Sequence, residues 1–392
     1  MAARFETQAM STPVAERSLA DHRRVVDRIW TQYPDRQNRT SSSWWWFILF
    51  PEGEEGYGPE QLMFSIASRA GDDIRVNDIP MAGLDLDRSV EGDVDEFSAI
   101  SVGWYGDGEA VQEGLVNQPA TARLSDGSIS AWADGEERKQ GGEIRAATDR
   151  PLGLEAHFAG EKGDAKFEAW GDLETRVDSP VQAMDTHTPL GGMDLVAWRR
   201  MEFEGEFDLP DGPEQLSGIC YFQRVCLNLP LFPWKWIWAF FPDGTAFSAF
   251  IPFLGPQVLR RGYRFFDSKR LERSTIPVRQ SALWESSTGE QIVEFDSATI
   301  EPVFDGGPHP HFEVEVSDGN GNYVEFTATS YGHARNYIDR PLLGGLTESH
   351  WSYNEYLFRM DGLRGEIDGR KIDRETVGQG FGTLEYACGL GL

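Results

Sequence analysis

Along most of the chain, apolar and polar residues alternate in short runs, and turn signals cut those runs at regular intervals. Residues two apart on a strand share a face, so the alternation predicts β-strands with one buried side. The clearest are 61–67, 96–105, 120–124 turning into 128–132, and 154–158 turning into 165–170. The second half adds 218–225, 235–241, 245–250, 312–316 turning into 323–329, and 366–372. D-G, G-D-G and N-G turns separate them, the grammar of an all-β sandwich or barrel and not of an α/β fold. One exception opens the chain. Ser11-Thr12-Pro13, followed by apolar residues at Leu19, Val25 or Val26, and Ile29 or Trp30, predicts an N-terminal helix that ends before Pro34.

The most aromatic stretch runs from Leu216 to Gly255, and Trp234, Trp236 and Trp238 occupy every second position within it. In a strand their indoles form one wall. Pro242-Asp243-Gly244 then predicts a hairpin turn, with residues 245–253 as the return strand. Such a wall either fills a core or lines a cavity for a large apolar molecule. The spacing does not choose between them.

A chain of 392 residues predicts two domains, each with a core of its own. The loop-like stretch 177–194 puts the boundary between residues 41–195, the first β domain, and 196–392, the second; residues 1–40 are the helix and lead-in. No long linker intervenes, so the two are expected to pack together. The hairpins at 154–170 and 312–328 echo each other, as they would in two related β domains.

Charge removes whole classes of function. The formal net charge is -28, from 64 acidic residues against 36 basic ones, of which only six are lysine and 30 are arginine. That balance disfavours nucleic acid as a partner. It suits a halophilic protein kept hydrated in concentrated salt. The longest apolar stretch is interrupted by Pro230, Pro233, Lys235 and the Pro242-Asp243-Gly244 turn, so no integral membrane segment is expected. Transient contact with a membrane surface stays open. With no secretory signal pattern, a cytoplasmic location is expected. Cys220, Cys226 and Cys388 are too few and scattered for a disulfide framework or a zinc site. His309-Pro310-His311 has no third ligand at metal-binding spacing, so no metal and no cofactor is expected.

Several residues together resemble a known group: Gly218-Ile219-Cys220-Tyr221, the Trp236-Ile237-Trp238 strand, the Asp243-Gly244 turn, and the closing run Gly378-Gln379-Gly380-Phe381-Gly382-Thr383-Leu384-Glu385-Tyr386. The chain resembles the two-domain, lipocalin-like family of carotenoid 1,2-hydratase (hydroxyneurosporene synthase) and the AttH-like proteins, and more distantly the decalin-forming Diels–Alderases. The resemblance spans residues 200 to 392 and implies two β-barrel-like domains with a ligand site inside one or between them. Where the hydratases carry Tyr-x-Asp-His, this chain has Tyr221-Phe222-Gln223-Arg224, so the Asp-His pair is absent. The cavity is then expected to carry different chemistry.

That chemistry needs an acid, a pocket tolerant of positive charge, and a positioned water. Aromatic faces supply the second, which singles out Trp234, Trp236, Trp238 and Tyr221, with Phe222 and Trp351 as further wall. A carboxyl group in apolar surroundings supplies the first. Glu385, between Leu384 and Tyr386, is the leading candidate; Glu355 and His350, in the run His350-Trp351-Ser352-Tyr353-Asn354-Glu355, follow, with His333 behind them. Arg224, if buried beside the tryptophans, needs an acidic partner, for which Glu385 is a candidate. The expected function is a cofactor-independent hydratase, isomerase or cyclase acting on an isoprenoid- or carotenoid-like substrate in an aromatic barrel cavity. The alternative is a non-catalytic carrier of a hydrophobic lipid, carotenoid or quinone, and a third reading leaves the tryptophans as plain core.

Overall fold

The computed structural model describes residues 26–88, 90, 92–133, 139–150, 153–171, 181–185, 191–262, 274–287 and 291–391. The fold is all-β, as the alternation predicts. Ten strands close a first barrel: β1 (Ser42–Gly53), β2 (Gln61–Arg69), β3 (Asp95–Gly106), β4 (Val111–Ser125), β5 (Ser128–Ala133), β6 (Gln140–Ala146), β7 (Gly153–Ala159), β8 (Asp164–Trp170), β9 (Met193–Leu209) and β10 (Gly212–Leu227). Each is antiparallel to its neighbour in sequence, and β10 returns to β1, giving an up-and-down meander.

Strand β1 shows why its apolar run does not alternate. Trp45, Phe47 and Leu49 point into the barrel while Trp46, Ile48 and Phe50 point out, and both sets are buried. A strand covered on both faces has no polar side to display. Inside, aromatic rings occupy the axis: Phe64 stacks on Phe158 at 5.1 Å and Phe167 on Phe207 at 5.8 Å. The expected N-terminal helix lies mostly outside the described residues. What is described of it is a helical turn at 26–27 and a 3-10 turn at Arg28–Trp30, whose Ile29 carbonyl accepts from Trp45 Nε1 at 2.9 Å.

The second sheet comprises β11 (Trp234–Phe240), β12 (Ala246–Leu254), β13 (Ser281–Glu285), β14 (Ile292–Phe295), β15 (Ser297–Val303), β16 (His311–Ser317), β17 (Tyr323–Leu342), β18 (Thr347–Ile367) and β19 (Phe381–Leu390). It too is a meander, with β19 paired back to β11. Only Asp296 separates β14, which pairs with β13, from β15, which pairs with β16. Among the described residues β14 and β15 are not paired with each other, and the covalent chain joins them there.

Two expectations need adjustment. Residues 366–372 are not one strand: β18 ends at Ile367, and Asp368 (φ 49°) with Gly369 (φ 74°) turns the chain into Arg370–Asp373. The D-G pair there is itself a hairpin signal. The stretch from residue 196 to Leu227 pairs inside the first barrel, because β9 is hydrogen-bonded to both β8 and β10. The chain passes from one sheet to the other at residues 228–233.

The barrels dock by their outer faces. Trp46, Phe50, Trp104 and Tyr221 from the first share one buried apolar cluster with Trp238 and Leu357 from the second. A β-arm, Ile74–Val76 and Ile79–Met81, leaves the first barrel and adds to β17, where Val76 stands opposite Ile338. Among the described residues no helix is long and apolar enough to cross a membrane.

Candidate functional site

Where the barrels meet, the seam opens into a cavity of about 120 Å³. The first barrel lines it with Trp44, Trp46, Met63, Ser65 and Arg69, and the arm with Ile74, Val76 and Met81. The second contributes Trp234, Ile338, Trp351, Tyr353 and Glu355. Of the two placements the resemblance implied, inside one domain or between them, this space has the second, between the two outer faces. An engineered apolar cavity of about 150 Å³ holds a benzene, so this space is slightly smaller than one that encloses a single ring. A long polyene would have to project from it.

Strand register builds the chemistry. Across β11, β19 and β18, Trp236 stands opposite Glu385, and Glu385 stands opposite Glu355. Directly opposed residues in an antiparallel pair share a face and bring their side chains together, so the two carboxyl groups are neighbours. Both are buried, Glu355 at 1% and Glu385 at 4% exposure. Glu385 Oε2 accepts from Trp234 Nε1 at 2.8 Å, and its Oε1 accepts from the Tyr353 hydroxyl. Glu355 Oε2 accepts from Trp104 Nε1 at 3.1 Å, while its Oε1 is buried with no hydrogen-bond partner among the described residues.

The electrostatics follow from this placement. Burial raises Glu385 from the ordinary 4.5 to about 7, and the Tyr353 and Trp234 donors hold it from going higher. Glu355 is pushed well above the usual carboxylate range, first by burial and then by the charge of Glu385. The negative charge of Glu385 opposes ionisation of Glu355, as like charges on neighbouring groups do. Burial and the neighbouring charge thus both favour the protonated form of Glu355. Trp234→Phe removes a donor that favours the Glu385 carboxylate, so the Glu385 midpoint is expected to rise above about 7. Infrared carboxyl bands, assigned with Glu385→Gln, measure it; a midpoint that stays put or falls contradicts the bond's role.

The remaining expected site residues scatter. Trp236 and Trp238 share the face of Trp234 but pack into the seam against Tyr221, at 5.2 and 5.5 Å between ring centroids. Tyr221 donates to Gln223 Oε1 at 3.1 Å and stands behind Trp46. Phe222 is not on the cavity: it points into the first barrel against Phe47 and Trp198. Arg224 is also inside that barrel, paired with Asp194 and not with Glu385. Strand pairing puts Arg224 in the first barrel and Glu385 in the second sheet, which the sequence alone does not reveal. His350 lies on the face of β18 opposite Glu355. Its Nδ1 bonds the Asp339 carboxylate and its Nε2 lies 2.6 Å from Ser352 Oγ. That is the atomic order of a nucleophilic triad, but Ser352 is fully buried and its Oγ accepts from the Gly262 N–H at 2.6 Å. His333 is half-buried, with its Nε2 3.0 Å from Asn354 Oδ1, and loss of hydration lowers it to about 4.

Compared with solved structures, the chain matches CghA at a TM-score of 0.51 and 9% identity, covering 90% of this chain and 89% of that one. The chain has the fold of CghA. The resemblance read from the sequence therefore holds at the level of an all-β, lipocalin-like architecture with one closed ten-strand barrel and a second sheet. An AttH-like protein from Nitrosomonas europaea aligns at TM-score 0.48 and 14% identity, covering 91% of this chain and 96% of that one. Kievitone hydratase from Nectria haematococca aligns at 0.44 and 11%, covering 91% and 92%. Neither the protein-family models nor the curated proteins give a match by sequence.

Tyr353, Trp104, Trp46 and Arg69 belong to the site and were not singled out from the sequence. A signal existed for Tyr353: Trp351, Tyr353, Glu355 and Leu357 fall at every second position. Nothing local pairs Trp104 with a residue 251 positions away.

Proposed function

We propose that this chain is a cofactor-independent acid–base enzyme of the hydratase, isomerase or cyclase type, acting on an apolar small molecule in the seam between its barrels. One observation carries the reading: two buried carboxyl groups face each other across adjacent strands, and one of them is on the wall of an apolar cavity. A carboxyl that stays protonated at neutral pH is a general acid. Glu355 fits that role, with one oxygen bound to Trp104 and the other uncommitted.

In the proposed step Glu355 gives its proton to a substrate carbon or carbonyl oxygen, and a C–H or O–H bond forms. The faces of Trp46, Trp234 and Trp351 stabilise the positive charge that develops. In hydration, water's oxygen then bonds to the cation and its proton returns to the carboxylate. In isomerisation or cyclisation, a substrate proton returns instead. Glu385 carries the negative charge of the pair, kept in place by Tyr353 and Trp234. A carrier of lipid, carotenoid or quinone would use the same cavity, yet it gives a coupled acid pair no task.

Proton exchange reports the step whatever the net reaction. A panel of isoprenoid- and polyketide-like alkenes and ketones incubated with the protein in deuterated water is expected to take up deuterium at carbon, read by mass spectrometry. Glu355→Gln should slow uptake by about 10²–10⁴-fold, the usual weight of a general acid. Equal rates in wild type and variant, on any substrate that turns over, would sink the proposal.

A further inference from the structure

The first barrel presents two polar groups to the cavity, side by side, that are bonded to nothing around them. Trp46 is 3% exposed and lines the space, and its Nε1 is buried with no hydrogen-bond partner among the described residues. Ser65, 4% exposed, lines the same wall, and among the described residues its hydroxyl has no partner either. The register of β1 with β2 sets the two residues directly opposite each other. Their Cβ atoms are then about 4.5–5.5 Å apart, close enough for both groups to reach one guest atom. The Trp46 ring meets Tyr221 and Trp236 edge to face, at 5.7 and 5.5 Å between centroids. A ring face replaces only a fraction of an ordinary hydrogen bond, so the N–H still lacks an oxygen.

Buried polar groups left unmade cost free energy, and folds rarely leave two together. An indole N–H only donates, and a serine hydroxyl can donate beside it. Two neighbouring donors fit an oxygen with two lone pairs and no hydrogen of its own, which describes a carbonyl. A hydroxyl guest would bring a proton in need of an acceptor. A carboxylate would bring negative charge into a chain that already carries -28. The next row on this sheet face is Ile48, Met63 and Trp104, two residues along each strand. Trp104 binds Glu355, so the donor pair is offset from the acid's anchor by one strand repeat, roughly 7 Å.

We propose that Trp46 and Ser65 form a seat for a neutral carbonyl oxygen, so that the seam selects apolar ketones, enones and related carbonyl compounds whose body extends toward Glu355. The inference rests on the reading of the cavity as an acid–base site and adds the substrate class. An indole donates in the plane of its ring, so the seat uses the edge of Trp46 and leaves its face to the apolar body.

The probes are 2-octanone, carrying ¹³C at its carbonyl, and 2-methyl-1-octene, the same shape with a methylene in place of the oxygen and ¹³C at the matching carbon. Both are titrated into the full chain and followed by ¹³C NMR. In wild type the carbonyl signal of bound ketone is expected at or downfield of its position in water, where it is also hydrogen-bonded. In Ser65→Ala it should move toward its position in a hydrocarbon solvent. The same variant should weaken the ketone by about 2- to 10-fold, the weight of one hydrogen bond, and leave the alkene unchanged. Trp46→Phe should lower ketone affinity relative to the alkene by a similar factor. Should Ser65→Ala misfold by circular dichroism, the wild-type signal and the Trp46→Phe ratio decide. A wild-type carbonyl signal at the hydrocarbon position, or an equal change for ketone and alkene in Ser65→Ala, overturns the proposal. In those cases the alkene still binds, and the acid role of Glu355, tested by deuterium uptake, stands or falls separately. Failure of both probes to bind overturns the seat along with the cavity's use as a binding site.

Discussion

Glu385→Gln is expected to stabilise the folded protein at about pH 8 by on the order of 3 kcal/mol, from a pKa shift of two to three units at ~1.4 kcal/mol each. The sign follows from where the proton sits. In the folded state Glu385 is raised from 4.5 to about 7. Its contribution is fully present below the unfolded value, where both states are protonated, and is lost as pH rises through about 7. Glutamine is neutral throughout and does not lose it. Urea denaturation from about pH 5 to 8 should therefore show wild-type stability falling and the variant's staying flatter. Glu355→Gln should act in the same direction, since Glu355 is also raised, and in the double variant most of the slope should vanish. A wild type whose stability does not fall across that window would remove the basis for a proton-sharing pair. Glu355→Gln, expected to stabilise, is also the variant expected to slow deuterium uptake, the opposition found where a site holds a group the fold would shed.

Asp194→Ala is expected to destabilise the protein by about 3–5 kcal/mol, the cost of leaving a buried charge without its counter-ion. Asp194 and Arg224 have fully buried side chains and pair inside the first barrel. Asp194 also binds Arg28, which joins the 3-10 turn at Arg28–Trp30 to β9. Nε and Nη2 of Arg224 have no hydrogen-bond partner among the described residues, so nothing there replaces the lost carboxylate. The Tyr33 ring, 5.5 Å from the guanidinium, offers only a weak substitute. Removing both charges with Asp194→Ala and Arg224→Met should recover much of the loss, because the uncompensated ion is then gone. Chemical denaturation of the three variants measures it. A single-variant loss under ~1 kcal/mol would show that Arg224 reaches water or another acid.

The strands that cover one barrel face and leave the other in water were legible as alternation, as at 164–170 and 311–317. So was the shared face of Trp234, Trp236 and Trp238, and the turn after them, where Thr245 N–H donates to Asp243 Oδ1 at 2.8 Å. Strand β1 was not, because the second barrel buries its outer side and erases the period. The fold class and the turns are local properties of two- to four-residue spacing, and the amino-acid order determines them directly. The site is not local. Glu355 and Glu385 are thirty positions apart and meet only through the register of β18 with β19. Their burial depends on Trp104, which another barrel supplies. Alternation says that Trp234 and Glu385 each have a face, but only docking of the two barrels decides whether that face meets water, a core or a cavity. An acid's strength depends on that difference in surroundings, so the tertiary structure, and not the residue type, favours the protonated form of Glu355.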